Sequence, residues 1–309
     1  MRFTFDDDQL AFRDAVRELL AKECPPSAIR QPTPVAWKAL AEMGALGITA
    51  PEAGGGMGLD ELWLVLVLEE AGYAGLPQPI IETAAVAAPI IGDRGQIVAS
   101  DLGGPIVDWA AEADQLLLRD GDAGLVLSTP AEIDLEPVKT VDHSRHASRV
   151  TTVRDKGTAI DADVELALDR GAWAASAFLV GLAQRMLDMT VDYVKEREQF
   201  GVPIGSFQAV KHHLADAAKE LSFARPLVYQ AAWSLATDDP GRARDVSTAK
   251  AMASDAAEFV GRKALQCHGA IGYTTEADLN LFLKRSWVLA RTWGDAAWHR
   301  NRVGLLLEI

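Results

Sequence analysis

Apolar residues recur at three- and four-residue intervals through most of the second half of the chain. This is the period of a helix that buries one face. The interval is clear from Ala175 to Tyr193, resumes from Phe207 to Leu221, and returns over residues 246–265. The pattern therefore predicts that the C-terminal part of the protein is built from long helices that pack side by side.

A tight turn separates the first two of these helices. It contains Gly201, Pro203 and Gly205, and glycine accepts positive φ whereas proline fixes φ and lacks a hydrogen-bond donor. Arg197 therefore belongs to a last helical turn beside an exposed loop, where its guanidinium can hold a phosphate. Pairing with a neighbouring glutamate is the commoner arrangement when this residue is considered alone.

The N-terminal part also has a helical pattern, with helices predicted over residues 5–23, 35–43 and 61–73. A glycine-rich loop at residues 54–58 precedes the third of them. Its spacing matches neither the dinucleotide-binding pattern nor the P-loop pattern. A connecting turn is therefore favoured over a phosphate-binding loop.

The pattern changes between residues 80 and 168 to short apolar runs bounded by Gly, Pro and Asp, which is typical of strands. The runs lie at residues 97–98, 106–107, 116–118, 125–127 and 150–153. We therefore predict a mainly α-helical protein with a small central β domain. The predicted parts are an N-terminal helical domain over 1–80, a reduced β domain over 81–168 and a C-terminal helical bundle over 169–309.

The composition is that of a soluble globular protein, with 24% charged and 49% hydrophobic residues and no apolar run of membrane-spanning length. A net charge of −14 repels nucleic acid and anionic membranes, so neither is an expected partner. Cys24 and Cys267 form no disulfide or metal-binding pattern, and Cys267 on an apolar helix is expected to pack rather than react. A cytoplasmic location is expected.

Three stretches together carry a resemblance to a known family. They are the glycine-rich residues 44–58, Arg197-Glu-Gln-Phe-Gly201 followed by Phe207-Gln208, and Gln266-Cys-His-Gly-Ala-Ile-Gly-Tyr-Thr-Thr-Glu276. In this order they resemble the acyl-CoA dehydrogenases, flavoenzymes that oxidise acyl-CoA thioesters between Cα and Cβ. The resemblance covers residues 1–80 and 165–309. It implies a helical N-terminal domain, a β-barrel-like middle domain and a C-terminal four-helix bundle.

The resemblance also implies which residues contact FAD. In the family, the Arg and Phe of the Arg-x-x-Phe-Gly motif bind the pyrophosphate, and the late Gln and Gly-Gly bind the adenosine half of an FAD that belongs to the neighbouring subunit. The implied cofactor-binding residues here are Arg197, Gln199, Phe200, Phe207, Gln208, Gln266, His268 and Gly269. Ala270 replaces the second glycine. Capping of a helix end by Gln266 and Gly269 is the alternative.

The catalytic base is where the sequence departs from the family. The chemistry needs a carboxylate that takes the α-proton while hydride passes to the flavin. The family's two places for this base fall on Trp293 and Gly171, and neither residue can take a proton. Asp295, two residues beyond Trp293, is the alternative base. In the family, a stretch that combines Glu-Pro with Gly-Ser-Asp and a Trp-x-Thr stretch hold the flavin ring. Neither stretch is found in the β domain of this sequence.

The sequence therefore resembles the short, non-catalytic subunit of heterotetrameric (α2β2) acyl-CoA dehydrogenases, which are known from actinobacterial steroid side-chain degradation. The resemblance implies that FAD is shared with a homologous catalytic subunit, and that an acyl-CoA substrate and an electron-transfer acceptor are the other partners. Two alternatives stay open. One is a self-sufficient homomeric dehydrogenase with a non-standard base, and the other is a flavin-free scaffold of the same fold.

Overall fold

The computed structural model describes residues 4–31, 36–93, 95–121, 124–153 and 157–308. The helices are α1 (Asp7–Glu23), α2 (Pro26–Ile29), α3 (Trp37–Glu42), α4 (Glu61–Ala74), α5 (Ala88–Ile91), α6 (Val164–Glu196), α7 (Gln208–Ala236), α8 (Arg242–His268), α9 (Leu279–Leu289) and α10 (Ala296–Leu306). The strands are β1 (Val98–Ser100), β2 (Ile106–Val107), β3 (Gln115–Asp120), β4 (Gly124–Ser128), β5 (Ile133–Pro137), β6 (Ser148–Val153), β7 (Thr158–Ile160), β8 (Glu198–Gln199) and β9 (Val202–Pro203). The prediction of a mainly helical protein with a small central β region is confirmed.

Local capping explains where the N-terminal helices begin. The Asp6 carboxylate accepts the Gln9 N–H at 2.8 Å, and the Gln9 side chain accepts the Asp6 N–H at 3.0 Å, which is a capping box. Asp60 begins α4 in a similar way, because its carboxylate accepts the Leu62 N–H at 3.0 Å. The predictions of α1 and α4 are confirmed. The predicted helix over 35–43 appears as α3, and residue 35 lies outside the described residues.

The glycine-rich loop at residues 54–58 is a closely packed connection between α3 and α4. Its backbone N–H groups are already used: Gly56 donates to the Pro51 carbonyl at 3.1 Å and Gly58 to the Ala50 carbonyl at 2.9 Å. A Cβ on Gly56 would lie 2.3 Å from the Cβ of Ala50. The predicted connecting turn is confirmed, since N–H groups bonded within the loop are not free to hold a phosphate.

Residues 81–91 are helical, which corrects the prediction of a strand-rich region beginning at residue 80. A π-helical segment, Ile81–Ala87, leads directly into α5. Most of its residues are buried, so its sequence is apolar without a helical period and resembles strand-forming runs. The Thr83 hydroxyl donates to the Val98 carbonyl at 3.0 Å and accepts the Val98 N–H at 3.0 Å. These two bonds fix the first strand to the helical body.

The strands of the middle region form two separate sheets. The first has the order β1-β3-β4-β7, in which β1 and β3 are parallel and the other pairs are antiparallel, and the second has the antiparallel order β2-β6-β5. The predicted apolar runs are confirmed as β1, β2, β3, β4 and β6. β5 and β7 were not predicted, because β5 alternates apolar with acidic residues and β7 has only three residues.

The C-terminal part is a helical bundle centred on α6, as predicted. α6 begins at Asp163, whose carboxylate accepts the Leu166 N–H at 3.0 Å, so this helix starts within the region assigned to the β domain. Gly72 and Gly181 let α4 and α6 approach closely: a Cβ on Gly181 would lie 2.0 Å from the Glu69 carbonyl oxygen. α6 crosses the predicted boundary at residue 168, and the division into domains stays a prediction.

In the part of the chain that the structure describes, α6 is the one helix long and apolar enough to cross a membrane. Within its most apolar window, 83% of the residues are buried against the rest of the protein. A helix that is apolar and surrounded by other elements has the properties of a core helix. The buried alanines, leucines and Phe178 of α6 form the centre of the hydrophobic core.

A buried ionic cluster joins the middle region to the helices. Arg285 of α9 donates to the Asp142 carboxylate and lies 3.4 Å from the carbonyl of Pro77. Arg145, three residues after Asp142, pairs with Asp108 at 2.6 Å. All four charged side chains are largely or fully buried. The turn that carries Asp142 and Arg145 is therefore anchored both to a strand region and to the helical bundle.

Candidate functional site

The turn between α6 and α7 is a small hairpin that projects an aromatic side chain into solvent. β8 and β9 pair through Gln199 and Val202, and the two residues between them, Phe200 and Gly201, have φ of 55° and 82°. Left-handed backbone is costly for a side chain as large as phenylalanine. The ring is nevertheless 93% exposed. A strained residue held with its apolar side chain in water indicates a binding surface.

Arg197 lies at the C-terminal end of α6 with its guanidinium free. Its N–H donates to the Tyr193 carbonyl at 2.9 Å, and its carbonyl accepts the Ile204 N–H at 2.8 Å. Among the described residues, however, its exposed side chain has no ion pair and no hydrogen bond. The surface ion pair that is commonest for such a residue is thus not formed here. A free guanidinium on a fixed backbone is suited to bidentate contact with an anion.

Three more of the predicted residues lie on the same turn as Arg197. Phe207 precedes α7 and meets the Phe200 ring edge-to-face with 6.2 Å between centroids. Gln208 is the first residue of α7 and is exposed. Gln199 is exposed too, with its amide donating to the Glu198 carbonyl at 2.8 Å. This turn therefore presents aromatic, amide and guanidinium groups together on one loop.

The end of α8 forms a second exposed segment. Gln266 is exposed, and Gly269 has φ of 66° with no atom within 4 Å of the position that a Cβ would take. The Gly269 N–H donates to the Leu265 carbonyl, so it also closes the helix as expected for a C-terminal glycine. Beyond it, the Tyr273 ring is 77% exposed. Open backbone beside an exposed amide leaves room for a ligand to approach closely.

His268 connects these two segments and does not face solvent, and its role as a cofactor contact stays a prediction. Its ring is buried and stacks on Tyr193 of α6, with centroids 4.4 Å apart and planes 14° apart. Its Nδ1 lies 2.9 Å from the Ala264 carbonyl, and burial lowers the pKa of the imidazole. Tyr193 is one helical turn before Arg197. The stacking therefore holds the α8 end next to the α6 end.

The two positions that the resemblance assigns to the catalytic base pack directly against each other. Trp293 is buried, and its six-membered ring lies over Gly171 of α6. A Cβ on Gly171 would lie 2.1 Å from Cζ3 of that ring, and a Cβ on Gly103 would lie 2.8 Å from the indole nitrogen. No side chain of any kind fits at position 171 beside this tryptophan. The indole therefore fills the space beside Gly171.

The backbone around Trp293 is held in an unusual conformation by three hydrogen bonds. Trp293 has φ of 59°, and its N–H donates to the Gly103 carbonyl at 2.9 Å. His299 Nε2–H donates to the Trp293 carbonyl at 2.8 Å, and Lys250 Nζ donates to the Gly294 carbonyl at 2.9 Å. A non-glycine residue in this region is strained unless its surroundings fix it. These contacts fix the indole in place.

Lys250 and His299 hold this turn, and the sequence patterns did not reveal either residue. Both are fully buried. Burial lowers the pKa of Lys250 to about 7 and that of His299 to about 4. One feature of the sequence indicates that Lys250 is buried, because this lysine lies among the small residues that form the buried face of α8. The hydrogen-bond acceptor of Lys250 is the carbonyl of Gly294, which lies 44 residues further along the chain, so the sequence does not display this contact.

Asp295 is the N-cap residue of α10. Its carboxylate accepts the Trp298 N–H at 2.8 Å, and it begins α10 as the N-cap residue. The residue is exposed, while Trp293 and Gly171 are buried. Because the carboxylate serves the helix end at the surface, the geometry does not favour it as a base acting near position 171.

Comparison with known proteins supports the same family at both ends of the chain. The profile of the acyl-CoA dehydrogenase N-terminal domain matches residues 6–96, and that of the acyl-CoA dehydrogenase C-terminal domain matches residues 162–305. The acyl-CoA dehydrogenase IpdE2 of Mycolicibacterium smegmatis is 31% identical over 297 residues, covering 91% of this chain and 92% of that protein. The likeness therefore spans nearly all of both proteins.

Solved structures share the fold. The ChsE4-ChsE5 complex from Mycobacterium tuberculosis contains a chain with a TM-score of 0.86 and 23% identity, covering 100% of this chain and 99% of that one. A variant of the Tcur3481-Tcur3483 steroid ACAD also has a TM-score of 0.86, with 24% identity over 98% of each chain. Taken with the matched domains and IpdE2, these findings show that the chain belongs to the acyl-CoA dehydrogenase family, whose members depend on FAD.

Proposed function

We propose that this chain is the non-catalytic subunit of a heteromeric acyl-CoA dehydrogenase. In this proposal a homologous partner carries the catalytic glutamate and the flavin ring, and this chain binds the ADP half of the partner's FAD. The observation that carries the proposal is the contact of Trp293 with Gly171, because one indole fills both places where the family has its base. The family resemblance supplies the reaction, the α,β-desaturation of an acyl-CoA thioester.

The exposed residues fit the ADP half of FAD. That half offers a pyrophosphate, which suits the unpaired guanidinium of Arg197, and an adenine ring, which suits exposed aromatic and amide groups. Open backbone at Gly269 allows close approach. When bound, FAD supplies the hydride acceptor of the reaction. The proposed contacts are Arg197, Gln199, Phe200, Phe207, Gln208, Gln266 and Gly269, with His268 and Tyr193 holding the two segments together.

This chain's own residues do not fit a complete active site. A base must reach its proton within hydrogen-bond distance, and here Trp293 closes the space beside Gly171. Asp295 caps a helix at the surface. These two observations favour the shared site over a homomeric enzyme in which each chain works alone.

The partners follow from the same proposal. The ChsE4-ChsE5 structure is described as a complex, and the Tcur3481-Tcur3483 protein as a steroid ACAD. By analogy we propose an unlike homologous subunit and a bulky acyl-CoA, such as a steroid-CoA, as substrate. An electron-transferring protein would reoxidise the flavin, as the acceptor in this family.

Co-expression with a homologous dehydrogenase encoded beside it is the direct test of the proposal. We expect about one FAD per unlike pair, measured from flavin absorbance and native mass, and none on this chain alone. One FAD on each isolated chain, together with dehydrogenase activity, would contradict the non-catalytic role. Loss of that activity on Asp295→Asn would then favour the homomeric enzyme.

Paired substitutions test the cofactor contacts in the purified complex. Arg197→Ala is expected to weaken FAD retention by tenfold or more, on the scale of a lost charge-assisted contact of about 1.5–3 kcal/mol. Arg244→Ala is the matched control, because Arg244 is an exposed arginine at the opposite end of α8 from Gln266. If Arg197→Ala and Gln266→Ala both leave FAD content and activity at the control level, the chain is a scaffold without a share in the cofactor site.

A further inference from the structure

A cavity of about 680 Å³ lies between the starts of α1 and α4 and the middle of α7. Its walls include four aromatic residues, which are Phe5, Trp63, Tyr229 and Trp233. None of the residues of the proposed cofactor surface or of the Trp293 turn lines it. Its volume is within the range of small-molecule sites. The cavity is therefore separate from the dehydrogenase function proposed above.

The aromatic walls are held by contacts with each other and with residues outside the cavity. Phe5 meets Tyr229 edge-to-face at 5.0 Å, and Trp63 meets Phe12 at 6.2 Å. The Tyr229 hydroxyl donates to the Glu69 carboxylate at 2.7 Å, and Glu69 does not line the cavity. The hydroxyl is thus engaged elsewhere. What Tyr229 offers to the cavity is its ring, and aromatic rings attract cations through their negatively charged faces.

Among the residues that the structure describes, the charged groups that line the cavity are all acidic. Asp6 and Asp60 line it, and none of its described lining residues is a lysine, arginine or histidine. Each carboxylate uses one oxygen to cap a helix, Asp6 for α1 and Asp60 for α4, and the other oxygen of each has no hydrogen bond among the residues described. The helix dipoles contribute about half a positive charge at each N-terminus. The two negative charges of Asp6 and Asp60 therefore exceed the partial positive charges of the two helix ends.

We propose that this cavity binds a small organic cation, an alkylammonium or quaternary ammonium group carried on an apolar body. The aromatic rings take the apolar body and contact the cationic head. The free carboxylate oxygens of Asp6 and Asp60 provide the opposite charge at the rim. A ligand with an anionic head is repelled by the same two groups and by the overall charge of −14.

The test compares ligands that differ in charge and share a ring. Benzyltrimethylammonium, benzyl alcohol and benzoate are titrated into the full-length chain at constant ionic strength, with calorimetry and the indole N–H signals of Trp63 and Trp233 as readouts. We expect the ammonium probe to bind at least about tenfold more tightly than the alcohol, and benzoate not to bind. Equal affinity for the alcohol and the ammonium probe, or no binding of either, overturns the proposal.

The chain offers a matched set of variants. Asparagine caps helices as well as aspartate does, so the double variant Asp6→Asn/Asp60→Asn removes both charges and keeps both caps. We expect it to bind the ammonium probe about tenfold more weakly. Asp163→Asn makes the same change at the N-cap of α6, which does not line the cavity, and should leave binding unchanged. If the double variant and the control bind equally, the carboxylates do not form a cation site.

Thermal melting of the same variants tests whether any loss of binding comes from loss of the fold. A second variant, Trp233→Leu, keeps both carboxylates and removes one aromatic wall. It is expected to weaken binding of the ammonium probe severalfold, on the scale of one partly desolvated cation–π contact. Full binding by this variant would overturn the aromatic part of the site.

Discussion

The Trp293 ring packs in the space that a side chain at position 171 would occupy, so this packing requires glycine at position 171. With a 2.1 Å separation between the ring and any Cβ at 171, only glycine is compatible with the packing. The tryptophan in turn keeps a left-handed backbone because Lys250, His299 and the Gly103 carbonyl hold the turn around it. A local change at any of these residues therefore affects the whole contact.

A double-mutant cycle measures this dependence. Gly171→Ala in the wild-type chain is expected to lower the free energy of unfolding by about 1–3 kcal/mol, as overpacking of a filled core does. Trp293→Ala alone should cost about 3–5 kcal/mol, because it leaves a cavity. In the Trp293→Ala background, Gly171→Ala should cost little. Equal costs of Gly171→Ala in both backgrounds, measured by denaturant unfolding, would contradict the contact.

The buried lysine makes stability depend on pH. Burial lowers the pKa of Lys250 from 10.5 to about 7, so between these values the unfolded chain holds a proton that the folded chain lacks. The free energy of unfolding should therefore rise with pH in this window, by at most about 1.4 kcal/mol per unit from this group. This dependence on pH is absent above the ordinary pKa of 10.5, because Lys250 is then neutral in both the folded and the unfolded chain.

Lys250→Met is expected to remove this contribution. Between pH 7 and 8.5, below the ordinary pKa of the two buried cysteines, its unfolding free energy should rise less steeply than that of the wild type. Lys22→Met, at an exposed lysine of α1, is the control and should follow the wild-type slope. Parallel curves for all three proteins in denaturant titrations would show that Lys250 keeps an ordinary pKa.

At the scale of elements, the proposed site lies at the ends of helices, whereas the interior turns of these helices only pack against each other. Arg197 and Phe200 follow α6, and Gln266 and Gly269 lie at or just beyond the last turn of α8. Residues at helix ends have backbone groups without helical partners and side chains free to face a ligand. The long, regular interiors of α6 and α8 fix where those ends meet.

Arg285 is the element-scale link between α9 and the middle region. Arg285→Met leaves the Asp142 carboxylate buried without its partner, and a loss of about 3–5 kcal/mol in unfolding free energy is expected. Adding Asp142→Asn removes the unpaired charge, so the double variant should be more stable than Arg285→Met alone. Denaturant unfolding of the two single variants and the double variant measures this. If the two losses simply add, Arg285 and Asp142 do not form the expected pair.

Long helices could be predicted from sequence, whereas a short helical segment that is buried on nearly every side could not. The three long C-terminal helices and α1 show the helical period because each keeps a polar face. The π-helical segment Ile81–Ala87 does not, since its neighbours cover it on nearly every side. β7 was missed for a different reason: a three-residue edge strand is defined by its pairing with β4, which sequence does not display.

The candidate site was predicted in part for a similar physical reason. Residues brought together by a motif, such as Arg197 and Phe200, lie on one short loop and could be recognised together. Lys250 and Trp293 lie on different elements, and only the folded chain brings the lysine to the tryptophan's turn. His268 shows that a residue inside a recognisable motif also packs α8 on α6, a contact that the motif does not display.

At the scale of the whole molecule, the exposed aromatic side chains predict how the chain behaves with and without the proposed partner subunit. Phe200 and Tyr273 are among the most exposed large apolar side chains. Hydrogen exchange measured on the chain alone and in the co-expressed complex should show added protection over residues 197–208 and 266–273. Added protection confined to other segments would mean that the partner binds elsewhere and that the proposed cofactor surface stays in water.

The packing of Trp293 on Gly171 also bears on the history of this protein. A glutamate introduced at 171 meets the indole, and a glutamate introduced at 293 inherits a strained backbone held by a buried lysine and histidine. Neither position can regain a working base by one substitution without loss of stability. Under the proposed non-catalytic role, each of these two residues obstructs the return of a base at the other, so selection would retain a catalytic partner more readily than restore activity in this chain.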